Sequence, residues 1–153
     1  MTVSYSVHLV TARDPQATLS LLFGIEDVKP IDKAEMWYVR GKMYLAHSKV
    51  TDTKLRERIQ RNYGIIPTVS VSFFPDGVSS VEKALDELLN AVQGWISNRN
   101  GDLAMATNLD NLVLKSQDNV LTTNFSHPFW TKARLEQINQ IKQYRNASDY
   151  WGS

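Results

Sequence analysis

The chain has 153 residues, of which 42% are hydrophobic and 22% charged, and this average globular composition predicts one domain over residues 1–153. Its formal net charge of +1 provides no global field to attract nucleic acid or an anionic membrane. Because the chain has no cysteine, disulfides, thiolate catalysis and cysteine-ligated metal centres are excluded.

The N-terminal residues Met1–Ser6 have neither the basic start nor the apolar stretch of a secretory signal. No apolar run approaches the ~20 residues of a membrane span. We therefore predict a cytoplasmic protein that does not bind membranes.

The first sixty residues predict strands around two helices. Apolar and polar residues alternate over Val3–Leu9, as in a half-buried strand. Asp14-Pro15 predicts the start of a short helix that ends near Gly24, and Glu26–Lys33 is interpreted as a loop. Met36–Val39 and Met43–Val50 predict a hairpin.

The second predicted helix is amphipathic and runs from Thr53, its predicted cap, to about Asn62. One face carries the apolar residues Leu55, Ile59 and Tyr63. The opposite face carries the basic residues Lys54, Arg58 and Arg61. Such a basic row can bind a phosphate backbone or an acidic protein patch, or it can be an ordinary solvated face. These three basic residues are the candidate interaction residues.

Pro67–Phe73 predicts a strand whose polar side, like that of the first strand, faces outward or pairs with that strand. Ser79 and Glu82 fit a capping box at the start of the third helix. That helix has the clearest apolar stripe of the chain, and we expect it to lie across the core. The stripe consists of Val81, Ala84, Leu85, Leu88, Val92, Trp95 and Ile96.

The last third of the chain predicts a β-meander and one more helix. The meander strands are Leu103–Thr107, Leu112–Lys115 and Val120–Thr122. The helix runs from about Thr131 to Tyr144, and because its apolar residues form no stripe we expect loose packing. Residues 145–153 are interpreted as a frayed tail. Together these elements predict an α+β fold with a mostly antiparallel sheet of about six strands and helices packed on one face, in two layers.

No catalytic or metal-binding constellation is recognisable in the sequence. His8, His47 and His127 lack the spacing of a helical metal site, so we predict no metal and no cofactor. Glu82 and Asp86 lie one helical turn apart and could do acid–base work, but a solvated polar face is favoured.

A series of motifs follows from residue 63 onward: Tyr63–Phe73, the amphipathic helix, Gly101–Met105, the turn at Asn108, Leu112–Lys115, Asn124-Phe125 and Phe129-Trp130. This order resembles the small bacterial immunity proteins of the swarming-inhibition-toxin (Sit) type. The resemblance covers about the last two-thirds of the chain, whereas the first sixty residues match only in opening with a strand. It implies a non-enzymatic protein that binds and blocks a cognate toxin.

Two other functions remain open from the sequence. The basic helix face could belong to a small nucleic-acid-binding domain, whose affinity would fall steeply with salt. An enzyme or small-ligand binder could also assemble its site from distant positions, for example in a polar pocket around one of the histidines.

Overall fold

A computed structural model describes residues 3–31, 35–77, 80–142 and 146–148. Within these residues the helices are α1 (Pro15–Phe23), α2 (Thr53–Tyr63), α3 (Val81–Ser97) and α4 (Lys132–Lys142). The strands are β1 (Tyr5–Leu9), β2 (Lys29–Ile31), β3 (Met36–Arg40), β4 (Tyr44–Val50), β5 (Val69–Pro75), β6 (Leu103–Thr107), β7 (Asn111–Gln117), β8 (Val120–Thr123) and β9 (Asn146–Ser148). They form one sheet in the order β2-β3-β4-β5-β1-β6-β7-β8-β9.

The predicted α+β fold with a mostly antiparallel sheet is confirmed, but eight strands rather than about six pair antiparallel. The ninth strand, β9, lies parallel to β8. The strand β2 lies in the stretch that was interpreted as a loop. Its three residues include Pro30, and a proline is tolerated there because β2 is an edge strand with only β3 as its neighbour. Apart from β9, the predicted tail 145–153 lies outside the described residues.

The helix α3 covers the main core of the protein. All of its predicted stripe is buried except Val81, which is half-buried, and Leu89 joins it. The opposing sheet side chains include Val7, Val71 and Phe73, which are 0% exposed. The helix α1 adds Leu19 and Leu22 to the same cluster, so we call this side of the sheet the covered face.

The predicted loose packing of α4 is wrong. Ile138 and Ile141 of α4 are buried in the same cluster as α3, and Arg134 is only 2% exposed. Arg134 therefore makes buried contacts although its side chain is charged. The periodicity of the apolar residues in α4 does not predict such contacts.

The helix α2 departs from the predicted one-sided arrangement. Its buried residues Ile59 and Tyr63 cluster with Ala104, Ala106 and Leu112 of β6 and β7. In β6 these alanines alternate with Leu103 and Met105, which belong to the main core. Since successive side chains of a strand point to opposite faces, α2 packs on the second face of the sheet.

Helix caps follow local sequence chemistry at α1 and α2. The Asp14 carboxylate accepts the Ala17 amide at 2.7 Å, and Gly24 ends α1 with φ 65°. At α2 the cap is Asp52, which accepts the Leu55 amide at 2.9 Å, and not the predicted Thr53. The predicted Ser79–Glu82 capping box cannot be compared, because Ser79 lies outside the described residues.

Gly101 permits a close approach of two chain segments between α3 and β6. Its φ is 136°, and a Cβ atom there would overlap the carbonyl oxygen of Val10. We expect Gly101→Ala to lower the free energy of unfolding by about 2–3 kcal/mol. The matched control is Gly94→Ala within α3, where a Cβ would meet nothing within 4 Å. The control should be neutral or stabilise by up to ~1 kcal/mol. Equal urea midpoints for the two variants would contradict this assignment.

Candidate interaction surface

The three candidate interaction residues lie on α2, but the structure does not present them as equivalent charges. Lys54 and Arg61 are exposed. Arg58 instead donates from Nη2 to both carboxylate oxygens of Asp110, at 3.0 and 2.9 Å. Asp110 lies in the turn between β6 and β7, so the turn neutralises the middle charge of the row. Whether this row binds a partner stays a prediction.

Hydrogen bonds to the β6–β7 hairpin hold the C-terminal end of α2. The Tyr63 hydroxyl donates to the carbonyl oxygen of Leu109. Lys115 donates from Nζ to the Tyr63 carbonyl at 2.9 Å, and Gln117 donates to the Gly64 carbonyl at 2.9 Å. A cation is favourable at this end because the last helical carbonyls carry partial negative charge. The helix is therefore fixed on the second face at both its side and its end.

Next to α2, the second face of the sheet carries paired polar side chains. Beyond these pairs its side chains are partly exposed. Of the two arrangements predicted for the serine faces of β1 and β5, the structure shows the pairing, with Ser6 opposite Ser72 and His8 opposite Ser70. Further along this face, over β2 to β5, the side chains other than Ser70 are half-buried or exposed. We call this group the open sheet face: Lys29, Ile31, Met36, Tyr38, Arg40, Leu45, His47, Lys49, Ser72 and Phe74. The described α2 cluster includes no residue from these strands.

His8 lies in the buried polar part of the second face. Its Nδ1 is 2.9 Å from the Ser70 hydroxyl, which is 2.8 Å from the Thr51 hydroxyl. His8 is 2% exposed, and burial lowers its pKa to about 4. In this series of hydrogen bonds a serine hydroxyl lies next to a histidine nitrogen, as in a nucleophile–base pair. All three residues are buried, however, so a substrate would have to reach Ser70 through the protein.

His127 lines a cleft of about 480 Å³ at the other end of the sheet, together with Tyr5 and Thr107. Its Nδ1 accepts the Phe129 amide at 3.0 Å, so the ring proton resides on Nε2 and is donated to Thr107 at 2.9 Å. Burial lowers the pKa of His127 and of His47. Polar and apolar residues line the cleft together, and both ring nitrogens of its histidine already have protein partners.

Glu82 and Asp86 bind a buried arginine. The guanidinium of Arg134 lies 3.2 Å from Glu82 Oε1 and 3.0 Å from Asp86 Oδ1. It also donates to the carbonyl oxygens of Phe129 and Glu82, at 2.8 and 2.9 Å. The carboxylates thus join α3 to α4. No signal in the sequence pairs them with Arg134, because the partners are about fifty residues apart.

Among residues 3–31, 35–77, 80–142 and 146–148, no group of three or more histidine, aspartate and glutamate side chains could hold a metal ion. No helix in those same ranges has the length and apolar character needed to cross a bilayer.

Comparison with known proteins identifies a family. A family model described as SitI3-like matches residues 3–134. No curated protein and no solved structure gives a significant match. The matched range includes the first sixty residues, where sequence motifs showed little resemblance, and it ends at the buried Arg134. Since the match spans most of the chain and agrees with the motif order from residue 63 onward, this protein belongs to the SitI3-like family.

Proposed function

We propose that the protein is an immunity protein, which neutralises a cognate bacterial toxin by binding it directly in the cytoplasm of the producing cell. The observation that carries this proposal is the family match over residues 3–134. Inhibition by binding needs a rigid surface and no reactive group. The helix α2, fixed to the sheet through Arg58, Tyr63 and Lys115, supplies such a surface.

The exposed cations of α2 support an acidic partner. A stable complex buries ~800 Å² on each partner and involves about twenty to thirty residues. Lys54 and Arg61 can form only the charged rim of such an interface, where they steer association and select the partner. Arg58 contributes less, because Asp110 already binds it.

The test is capture of a partner by the tagged full-length chain from its native host, with nuclease treatment throughout. We expect one stoichiometric protein that persists after nuclease treatment, whose toxicity to a susceptible cell is lost when the chain is co-expressed. Recovery of no protein, or of a protein whose toxicity is unchanged, would contradict the proposal.

The contribution of α2 is tested with a charge reversal. The double variant Lys54→Glu, Arg61→Glu should weaken binding of the captured protein about 10-fold to 100-fold, mainly through slower association. The matched control is Lys83→Glu, Lys132→Glu, which reverses two exposed cations on α3 and α4. Equal affinities of the two double variants would remove α2 from the interface and leave the proposed function intact.

A further inference from the structure

The open sheet face has an unusual composition for the solvated side of an antiparallel sheet. Its centre is apolar and aromatic: Leu45 lies opposite Phe74, and the His47 ring lies 5.3 Å from the Phe74 ring. Tyr38 lies opposite His47 on the next strand. On the solvated face of an antiparallel sheet, these positions are normally occupied by polar residues. Here Phe74 remains 38% exposed, although Phe73 beside it, on the covered face, is 0% exposed.

The charges on this face have one sign. Strands β2 to β5 contain no acidic residue, and their charged side chains on this face are Lys29, Arg40 and Lys49. Their carboxylate neighbours Asp27, Asp76 and Asp52 lie outside the strands, at the rim. These ion pairs are solvent-exposed, and exposed pairs are weak, so a partner carboxylate can replace the rim carboxylate at little cost.

The area of the open sheet face is too small to form a whole protein interface by itself. Four strands at ~4.8 Å spacing, of three to seven residues each at ~3.4 Å per residue, make a patch of at most roughly 20 by 20 Å. That is about half of the ~800 Å² that a stable complex buries on one partner. The adjoining α2, which begins three residues after β4, extends the patch with Lys54. The open sheet face therefore adjoins the start of α2, and its apolar centre is flanked by basic side chains from the strands and from α2.

We infer that the open sheet face is the docking surface for an acidic protein whose contact region carries an apolar centre, with Leu45, Phe74 and Tyr38 as the anchors. This inference rests on the proposed function, because it identifies the surface that a toxin would contact. Aromatic side chains surrounded by a polar rim are the usual sites of large binding energy in protein interfaces.

The test uses the protein captured by the tagged full-length chain and measures its affinity for purified variants. Leu45→Glu and Phe74→Glu place a negative charge at the centre of the surface, and each should weaken binding about 30-fold or more. The matched control is Leu21→Glu, on an exposed leucine of α1 on the covered side of the sheet, which should change affinity less than about threefold. A cooperative thermal unfolding transition is the check that all three variants are folded. Phe74→Ser is a second variant at this position that introduces no charge.

The outcomes separate the two proposals. Weak binding by the open-face variants and normal binding by Leu21→Glu support the docking surface. Unchanged binding by both open-face variants overturns the docking surface and leaves the immunity function standing. An affinity that is the same at about 50 mM and about 500 mM salt overturns the acidic nature of the partner. If the tagged chain captures no protein, the proposed function fails and the docking surface falls with it.

Discussion

Replacing Trp95 with alanine is expected to lower the free energy of unfolding by about 3–5 kcal/mol. Trp95 is 2% exposed and lies where α3 crosses the main core. Its Nε1 donates to the carbonyl oxygen of Gly101 at 3.0 Å. The substitution therefore leaves a large cavity and also removes the hydrogen-bond donor of the Gly101 carbonyl. Equilibrium unfolding in urea, monitored by far-UV circular dichroism, measures the change.

The control for this experiment is Trp95→Phe. It retains most of the ring volume and loses the hydrogen bond, so it should cost only about 1–2 kcal/mol. A cost below about 1 kcal/mol for Trp95→Ala would mean that α3 does not close the core. The buried stripe of α3 would then contribute little to the stability of the fold.

Stability is expected to fall as the pH is lowered from about 6.5 to about 4, because His8 is buried in its neutral form. Its pKa is about 4 in the folded protein, against 6.5 for an ordinary histidine. Between these values the unfolded chain binds a proton that the folded chain does not, so acidification favours unfolding. At 1.36 kcal/mol per pKa unit, the effect of His8 approaches about 3 kcal/mol at pH 4. His47 and His127 act in the same direction, since burial lowers their pKa values too.

The contribution of His8 is isolated by comparing His8→Gln with the natural chain at a series of pH values. The variant keeps a polar group near Ser70 but does not titrate in this range. Its unfolding free energy should depend less steeply on pH between about 4 and 6.5. Parallel curves for the two proteins would show that His8 is not held neutral by burial.

Local sequence patterns predicted the elements whose signals are local. The α3 stripe, the cap at Asp14 and the β-meander depend on spacings of a few residues, and the structure confirms them. The pairing of β1 with β5 was one of two alternatives, because two alternating serine strands can either face solvent or meet.

The features that were missed depend on partners distant in the chain. The side of the sheet that α2 covers is decided by Ala104 and Ala106, whose small size leaves room for the helix. Arg134 is buried only because α3 and α4 come together, and no local pattern predicts that contact. The open sheet face could not be predicted from the sequence for the same reason. Leu45 and Phe74 become neighbours only when β4 and β5 pair in one particular register.

The position of β1 in the sheet has a kinetic consequence. This N-terminal strand is central and pairs with β5 on one side and with β6 on the other, so that Leu9 lies opposite both Val69 and Leu103. Contacts of such long sequence separation raise the contact order, and proteins rich in them fold in milliseconds to seconds rather than microseconds. During synthesis, β1 keeps an unpaired edge until the ribosome has released β6. The nascent chain therefore passes through a period in which chaperone binding or strand-to-strand aggregation competes with folding.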